Sequence, residues 1–169
     1  MNDEFKAGCA AAPRFAADRM LGRLARWLRL LGADVLFDPA LGGGGLLARA
    51  RAEGRIALTR DKRLRTASDA LYLEGNLLRD QLREVLARFP FHPHRAAFTR
   101  CSCCNEPLCE ASREAMARRV PPFVYASQER FLRCPRCNRV YWRATHPERI
   151  RRELDAIGLA DLPLPDARR

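Results

Sequence analysis

Two Cys-x-x-Cys pairs, Cys101-Ser-Cys-Cys104 and Cys134-Pro-Arg-Cys137, are separated by 29 residues, and no other feature restricts what this chain can become so tightly. Each pair can turn in a tight knuckle whose sulfurs face one ion, and two knuckles complete the tetrahedron that zinc accepts. Cys103 in place of Cys104 would give Cys-x-Cys, a poorer knuckle, and Cys109 is left as a spare thiol. Four protein ligands close the coordination sphere, so the metal is expected to be structural. Arg100, Arg133, Arg136 and Arg139 are expected to offset the charge of a zinc tetrathiolate, which is otherwise costly to bury. Loss of the metal is expected to loosen the region after Phe98 and spare the rest. The cysteine count of 7 is odd, and the start Met1-Asn-Asp-Glu-Phe-Lys lacks the basic-then-apolar order of a secretory signal. Both points argue against a disulfide framework. Cys9 stands apart in the N-terminal tail. No apolar run approaches the length of a membrane span, which makes the cytoplasm the expected compartment.

Ahead of the cysteines the pattern alternates between strand and helix. Arg14-Phe-Ala-Ala reads as a strand ended by Asp18. Residues 19–31 read as an amphipathic helix, with Leu21, Leu24, Leu28 and Leu31 on one face and Arg19, Arg23, Arg26 and Arg29 on another. Gly32 stops it, and Ala33–Phe37 is a second strand. Gly42 to Gly45 read as a flexible loop before a helix from Leu46 to Glu53, and Arg55–Thr59 as a third strand running into Arg60-Asp61. A short helix, a strand at Asp69–Glu74 and a helix from Leu77 to Phe89 capped by Asn76 complete the series. Such alternation predicts an α/β fold with a mainly parallel sheet wrapped by helices. Pro90-Phe-His-Pro-His is the expected linker, so the chain divides into a first domain at 13–90, a zinc-ribbon module at 98–150, and a short helix with a loosely ordered tail at 151–169. Of the histidines, His92 and His94 fall in that linker, and His146 follows Tyr141-Trp142-Arg143.

The formal net charge is +11, shared by both halves of the chain, which suits a polyanionic partner such as RNA. In an open parallel sheet, ligands sit at the carboxyl ends of the strands, and Asp18, Asp38 and Asp61 each stand at one such end. Clustered carboxylates hold a hard cation such as Mg²⁺ or Mn²⁺, which can direct water at a phosphate. The flanking cations Arg19, Arg23, Arg26, Arg60, Lys62 and Arg63 suit an RNA substrate. A competing role exists for each aspartate as a helix cap or turn residue, Asp38-Pro39 above all. The glycine run carries no phosphate-loop motif.

Three stretches together resemble one known family: Phe15-Ala-Ala-Asp-Arg-Met-Leu-Gly-Arg-Leu-Ala-Arg-Trp-Leu-Arg-Leu-Leu-Gly, then Gly54-Arg-Ile-Ala-Leu-Thr-Arg-Asp, then the cysteine knuckles with Val140-Tyr-Trp-Arg-Ala-Thr-His. They resemble the Mut-seven C-terminal RNase family, a PIN-like ribonuclease domain fused to a zinc ribbon. The resemblance implies that Asp18 and Asp61 hold a catalytic Mg²⁺ or Mn²⁺, and that Cys101, Cys104, Cys134 and Cys137 hold zinc. The family places acids in the turn before the second helix, where this chain has Gly42 to Gly45. Either Asp38, Asp80 or Glu84 then supplies the third acid, or activity is reduced or lost. The function expected is a metal-dependent ribonuclease, the alternative a non-catalytic RNA-binding protein on the same fold, and a third possibility an adaptor for a protein partner.

Overall fold

Strand residues alternate sides, and here the alternation decides which helix covers which face. The computed structural model describes residues 13–89, 97–142, 152 and 154–156. Strands β1 (Arg14–Ala17), β2 (Asp34–Phe37), β3 (Ile56–Thr59) and β4 (Ala70–Tyr72) form a sheet in the order β2-β1-β3-β4. All three pairings are parallel, with Phe15 opposite both Val35 and Ile56. Phe15, Ala17, Val35 and Leu58 face a core shared with α1 (Gly22–Leu30) and α3 (Leu78–Arg88), while Ala16 and Ala57 face α2 (Gly43–Ala52). The expected leucine face of the first helix is the buried one: Leu21, Leu24, Leu28 and Leu31 are almost fully enclosed. Each such side chain contributes roughly 1.5–3 kcal/mol of burial. The expected α/β class is therefore observed, a helix-flanked parallel sheet followed by a cysteine cluster able to form a zinc ribbon.

The second sheet is an antiparallel meander of β5 (Cys109–Ala111), β6 (Phe131–Arg133) and β7 (Val140–Trp142). Helices α4 (Arg113–Met116) and α5 (Pro122–Ser127) lie between β5 and β6 in the chain. Met116, Val120, Val124 and Phe131 give this part a small core of its own. Residues 152 and 154–156 are helical, as expected near the C-terminus, and Leu154 returns to the core of the parallel sheet beside α1 and α3. Among the described residues no helix is long and apolar enough to cross a membrane.

Four expectations need correction. Gly43 to Gly45 form the first turn of α2 rather than a flexible loop, with Gly43 at φ +55°. The first N–H groups of a helix have no partner within it in any case, and Leu46, Leu47 and Ala50 pin the turn by packing against the sheet. Asn76 does not cap α3, whose cap position is Leu77 without a side-chain bond; instead its Oδ1 accepts from Arg60 Nη2, a charged donor that outbids a backbone N–H. Arg29 does not share the exposed basic face but is buried. The fourth strand, Ala70–Tyr72, is shorter than read, because the N–H groups of Glu74 and Gly75 are taken by the Glu84 carboxylate rather than by a neighbouring strand. Cys9, the linker with His92 and His94, and His146 lie outside the described residues.

Candidate functional site

The cysteine centre is built twice from one local plan. Asn105 N–H donates to the Cys101 carbonyl at 2.9 Å, and Asn138 N–H to the Cys134 carbonyl at 3.0 Å. Cys104 N–H reaches Cys101 Sγ at 3.3 Å, and Cys137 N–H reaches Cys134 Sγ at 3.5 Å. Cys101 N–H donates to the Glu106 carbonyl at 2.8 Å and Cys134 N–H to the Arg139 carbonyl at 2.9 Å, closing each knuckle in the same way. Asn105 and Asn138 both take left-handed φ values, 69° and 58°, which asparagine tolerates better than most residues. The repeated unit is thus Cys-x-x-Cys-Asn, and the two asparagines were legible in the sequence but overlooked. The four sulfurs of Cys101, Cys104, Cys134 and Cys137 lie within 4.8 Å of one another. Cys101 and Cys137 are 3.6 Å apart, close to the spacing of about 3.8 Å that tetrahedral Zn–S bonds impose. The donor set and its spacing therefore fit zinc. Cys103 and Cys109 are exposed and outside the quartet.

The thiols of the quartet are shifted in opposite directions, Cys101 down and both Cys104 and Cys134 up. Burial would raise the Cys101 pKa, but the Tyr141 hydroxyl at 3.1 Å and the backbone N–H groups of Cys104 and Cys103 outweigh it and bring the thiol down to about 6. Tyr141 itself is pushed up to about 12, first by burial and then by its bond to Cys101. Burial pushes the Cys134 thiol up. Of the expected charge-balancing arginines, Arg100 and Arg133 instead grip the knuckle asparagines, Arg100 Nη1 on Asn105 O at 2.9 Å and Arg133 Nη1 on Asn138 Oδ1 at 2.6 Å. A cation from α1 does face the sulfurs: Arg29 interacts electrostatically with Cys101, Cys103 and Cys104.

Arg29 also joins the two sheets. Its Nε donates to the Val35 carbonyl at 2.9 Å, and its Nη1 to the carbonyls of Ser102 at 3.4 Å and Cys103 at 2.6 Å. From the other side Asn105 Oδ1 accepts from Val35 N–H at 3.0 Å, and Asn105 Nδ2 donates to Asp34 Oδ1 at 2.8 Å. The first knuckle thus lies directly on edge strand β2. Asp34 gathers Arg55 at 2.6 Å, Arg14 at 3.4 Å and Arg100 at 3.7 Å. Burial alone would raise its pKa, but the bonds from Arg55 and Asn105 hold the carboxyl below its ordinary range.

The carboxyl edge of the parallel sheet presents a second, looser centre. Asp18, which ends β1, is buried and extends the ladder by donating its N–H to the Leu58 carbonyl at 2.9 Å. Its Oδ2 accepts from Thr59 Oγ1 at 2.6 Å, and the same hydroxyl accepts from Asp61 N–H at 3.0 Å. Thr59 therefore couples the two expected acids. It was overlooked, although a threonine two residues before Asp61 at a strand end was the available signal. Asp61 is more committed than expected. Its carboxylate accepts from Arg63 N–H at 3.0 Å, capping the 3₁₀ turn Lys62–Leu64, and takes the Arg63 guanidinium at 2.6 Å. The side-chain bond from Arg63 is the largest cause of its lowered pKa.

Asp38 is exposed and accepts from Ala40 N–H at 2.9 Å, the turn role that Asp-Pro suggests. Glu84 spends both oxygens on backbone N–H groups, at 2.9 Å to Glu74 and 2.7 Å to Gly75. Asp80 lies 3.5 Å from Arg79 and 4.0 Å from Arg83. Among the described residues no third carboxylate joins Asp18 and Asp61 in a three-ligand group. The nearest room for one is at Gly42, where a Cβ would lie 3.5 Å from Asp18 Oδ1 and 3.4 Å from Arg19 Nε. That contact also brings Arg19 to the pair, while Arg23, Arg26, Lys62 and Arg63 are exposed and Arg60 is half-buried. Asp18 Oδ1 takes no hydrogen bond from the described residues, so one oxygen stays free for a cation. In this respect the pair fits a hard divalent ion.

Both centres fall inside one matched span. The family model described as Mut7-C RNAse domain matches residues 13–154. No curated protein and no solved structure matches significantly. The match takes in the parallel sheet, the Asp18–Thr59–Asp61 chain and all four quartet cysteines, so on the run of its sequence the chain belongs to the Mut7-C RNAse domain family.

Proposed function

We propose that the chain is a ribonuclease dependent on Mg²⁺ or Mn²⁺, in which Asp18 and Asp61 hold the ion at the carboxyl edge of the sheet. The observation that carries this reading is the Asp18–Thr59–Asp61 chain, two acids from neighbouring strands held in register by one buried hydroxyl. A bound ion would supply the Lewis acidity that activates water and offsets charge on the phosphate. Arg19, Arg23, Arg26, Arg60, Lys62 and Arg63 bind the RNA backbone, and their contacts make affinity fall with salt. Residues 13–90 act as the nuclease unit. The zinc ribbon of 98–150 adds to RNA binding, and within 97–142 eight arginines stand against four glutamates. A second reading, RNA binding without turnover, is favoured by the glycines at the cap and first turn of α2 and by Asp61 being taken up by Arg63.

One assay separates the two. RNA of mixed structure is incubated with the protein and Mn²⁺, with and without chelator, beside the Asp18→Asn variant. Chelator-sensitive cleavage that disappears in the variant, with RNA affinity retained, is the expected result. Binding without cleavage in any metal supports the second reading, and cleavage that survives the substitution overturns the site assignment.

A further inference from the structure

A strut runs from α3 to the carboxyl edge of the sheet, and nothing in the zinc centre or the acidic pair accounts for it. It begins with Glu84, whose carboxylate accepts from the N–H groups of Glu74 and Gly75 at 2.9 and 2.7 Å. Gln81, a buried polar side chain on the same helix, donates its Nε2 to the Gly75 carbonyl at 3.0 Å. The loop is thus held at both its donors and its acceptor. It also packs so closely that a Cβ at position 75 would lie 2.7 Å from Asp80 Cβ. Only glycine fits there without moving α3. The next residue, Asn76, is exposed, caps no helix, and gives its Oδ1 to Arg60 Nη2.

Arg60 sits between Thr59 and Asp61, the residues that build the acidic pair, and on the same edge of the sheet. Its Nε is buried with no hydrogen-bond partner among the described residues. Leaving a guanidinium N–H dry and unpaired is unfavourable. A solvated arginine at this position would avoid that loss, so the placement does not serve stability. Departures of this kind from local satisfaction collect at functional sites. An arginine whose orientation is fixed beforehand loses less side-chain entropy on meeting a phosphate than one free in solvent.

We propose that Asn76 is a positioning residue that holds Arg60 for one phosphate of the RNA at the nuclease edge, with Gln81, Glu84 and Gly75 fixing Asn76 in turn. This rests on the ribonuclease reading above. The test is a double-mutant cycle on affinity for a single-stranded RNA of mixed sequence, measured over a series of salt concentrations. Arg60→Ala is expected to weaken binding about tenfold and to flatten the salt slope by about 0.7, the value of one phosphate contact on a single strand. Asn76→Ala is expected to weaken binding about threefold in the native background and to change nothing once Arg60 is alanine. A loss that Asn76→Ala repeats in the Arg60→Ala background means that Asn76 acts on its own or on the fold, and overturns the proposal. So does an Asn76→Ala variant that binds like the parent, an outcome that leaves the ribonuclease reading standing. A parent protein that binds no RNA at low salt overturns both.

Discussion

At the knuckles, four ligand atoms from two chain segments lie within 4.8 Å of one another before any ion is considered. At the sheet edge, the Asp18 carboxylate is tied through the Thr59 hydroxyl only to the backbone N–H of Asp61, whose own carboxylate is already occupied by an arginine. The difference follows from how each centre is assembled. A knuckle is local: five consecutive residues turn back on themselves, and backbone N–H groups aimed at sulfur and carbonyl fix the shape. The acidic centre is non-local, made from the ends of separate strands, and it keeps one oxygen of Asp18 open. A closed, prearranged set suits a structural ion, and an open, incomplete set suits one that must also meet a substrate.

Removing zinc is the largest perturbation that comparison allows. The freshly purified protein is expected to hold one equivalent, and Cys134→Ser to unfold the described residues after Phe98, since structural zinc contributes on the order of 10 kcal/mol to folding. Cysteine spacing alone suggests that the parallel sheet is spared. The contacts of Arg29 and Asn105 predict otherwise: the Val35 amide should lose its hydrogen-exchange protection together with the knuckles. Protection unchanged after chelation would break the link between the two regions. Next in size, Arg29→Ala strips donors from three carbonyls and is expected to cost about 3 kcal/mol in a urea melt; a cost near zero would mean that water replaces the guanidinium.

A smaller substitution sharpens the contrast from the acidic side. Gly42 has extended backbone and stands over Asp18, whereas a side chain at Gly43 would meet φ +55° and nothing within 4 Å. Gly42→Asp is therefore expected to raise Mn²⁺-dependent cleavage. Gly43→Asp is expected to cost about 1 kcal/mol of stability without that gain. Equal activities would show that the centre needs no third acid. The smallest effect concerns pH. The folded-state pKa of Asp34 lies below its unfolded value, so its contribution to the junction is complete above the ordinary value of 3.8 and fades as pH falls through the folded value. In acid titrations below that value, Asp34→Asn should remove this part of the stability loss; an identical titration would place the pH dependence elsewhere.

Much of this was legible beforehand because it follows from short-range rules. The leucines of α1 repeat at helical spacing, and the parallel sheet follows from strand and helix alternation. Cys104 is preferred over Cys103 on spacing, and the quartet has that composition. What escaped depends on contacts between distant segments. Helical periodicity puts Arg29 with Arg23 and Arg26, and the carbonyls of Val35, Ser102 and Cys103 turn it inward. Asn76 has the look of a cap until Arg60 arrives from the end of β3. Thr59 looked like an ordinary strand residue because the bond that gives it a role reaches Asp18, 41 positions away.

The seating of the first knuckle on β2 bears on how these molecules behave towards one another. An exposed strand at the border of a sheet is a template on which a second chain can pair. Along β2 the Ala33 N–H is bonded to the Leu28 carbonyl, and Val35 has both its N–H and its C=O taken, by Asn105 and by Arg29. A neighbour seeking to add a strand there would first have to evict the knuckle. Oxidation of the thiols that lifted the knuckle away would uncover that template, so an ion held by the quartet would guard solubility as well as shape.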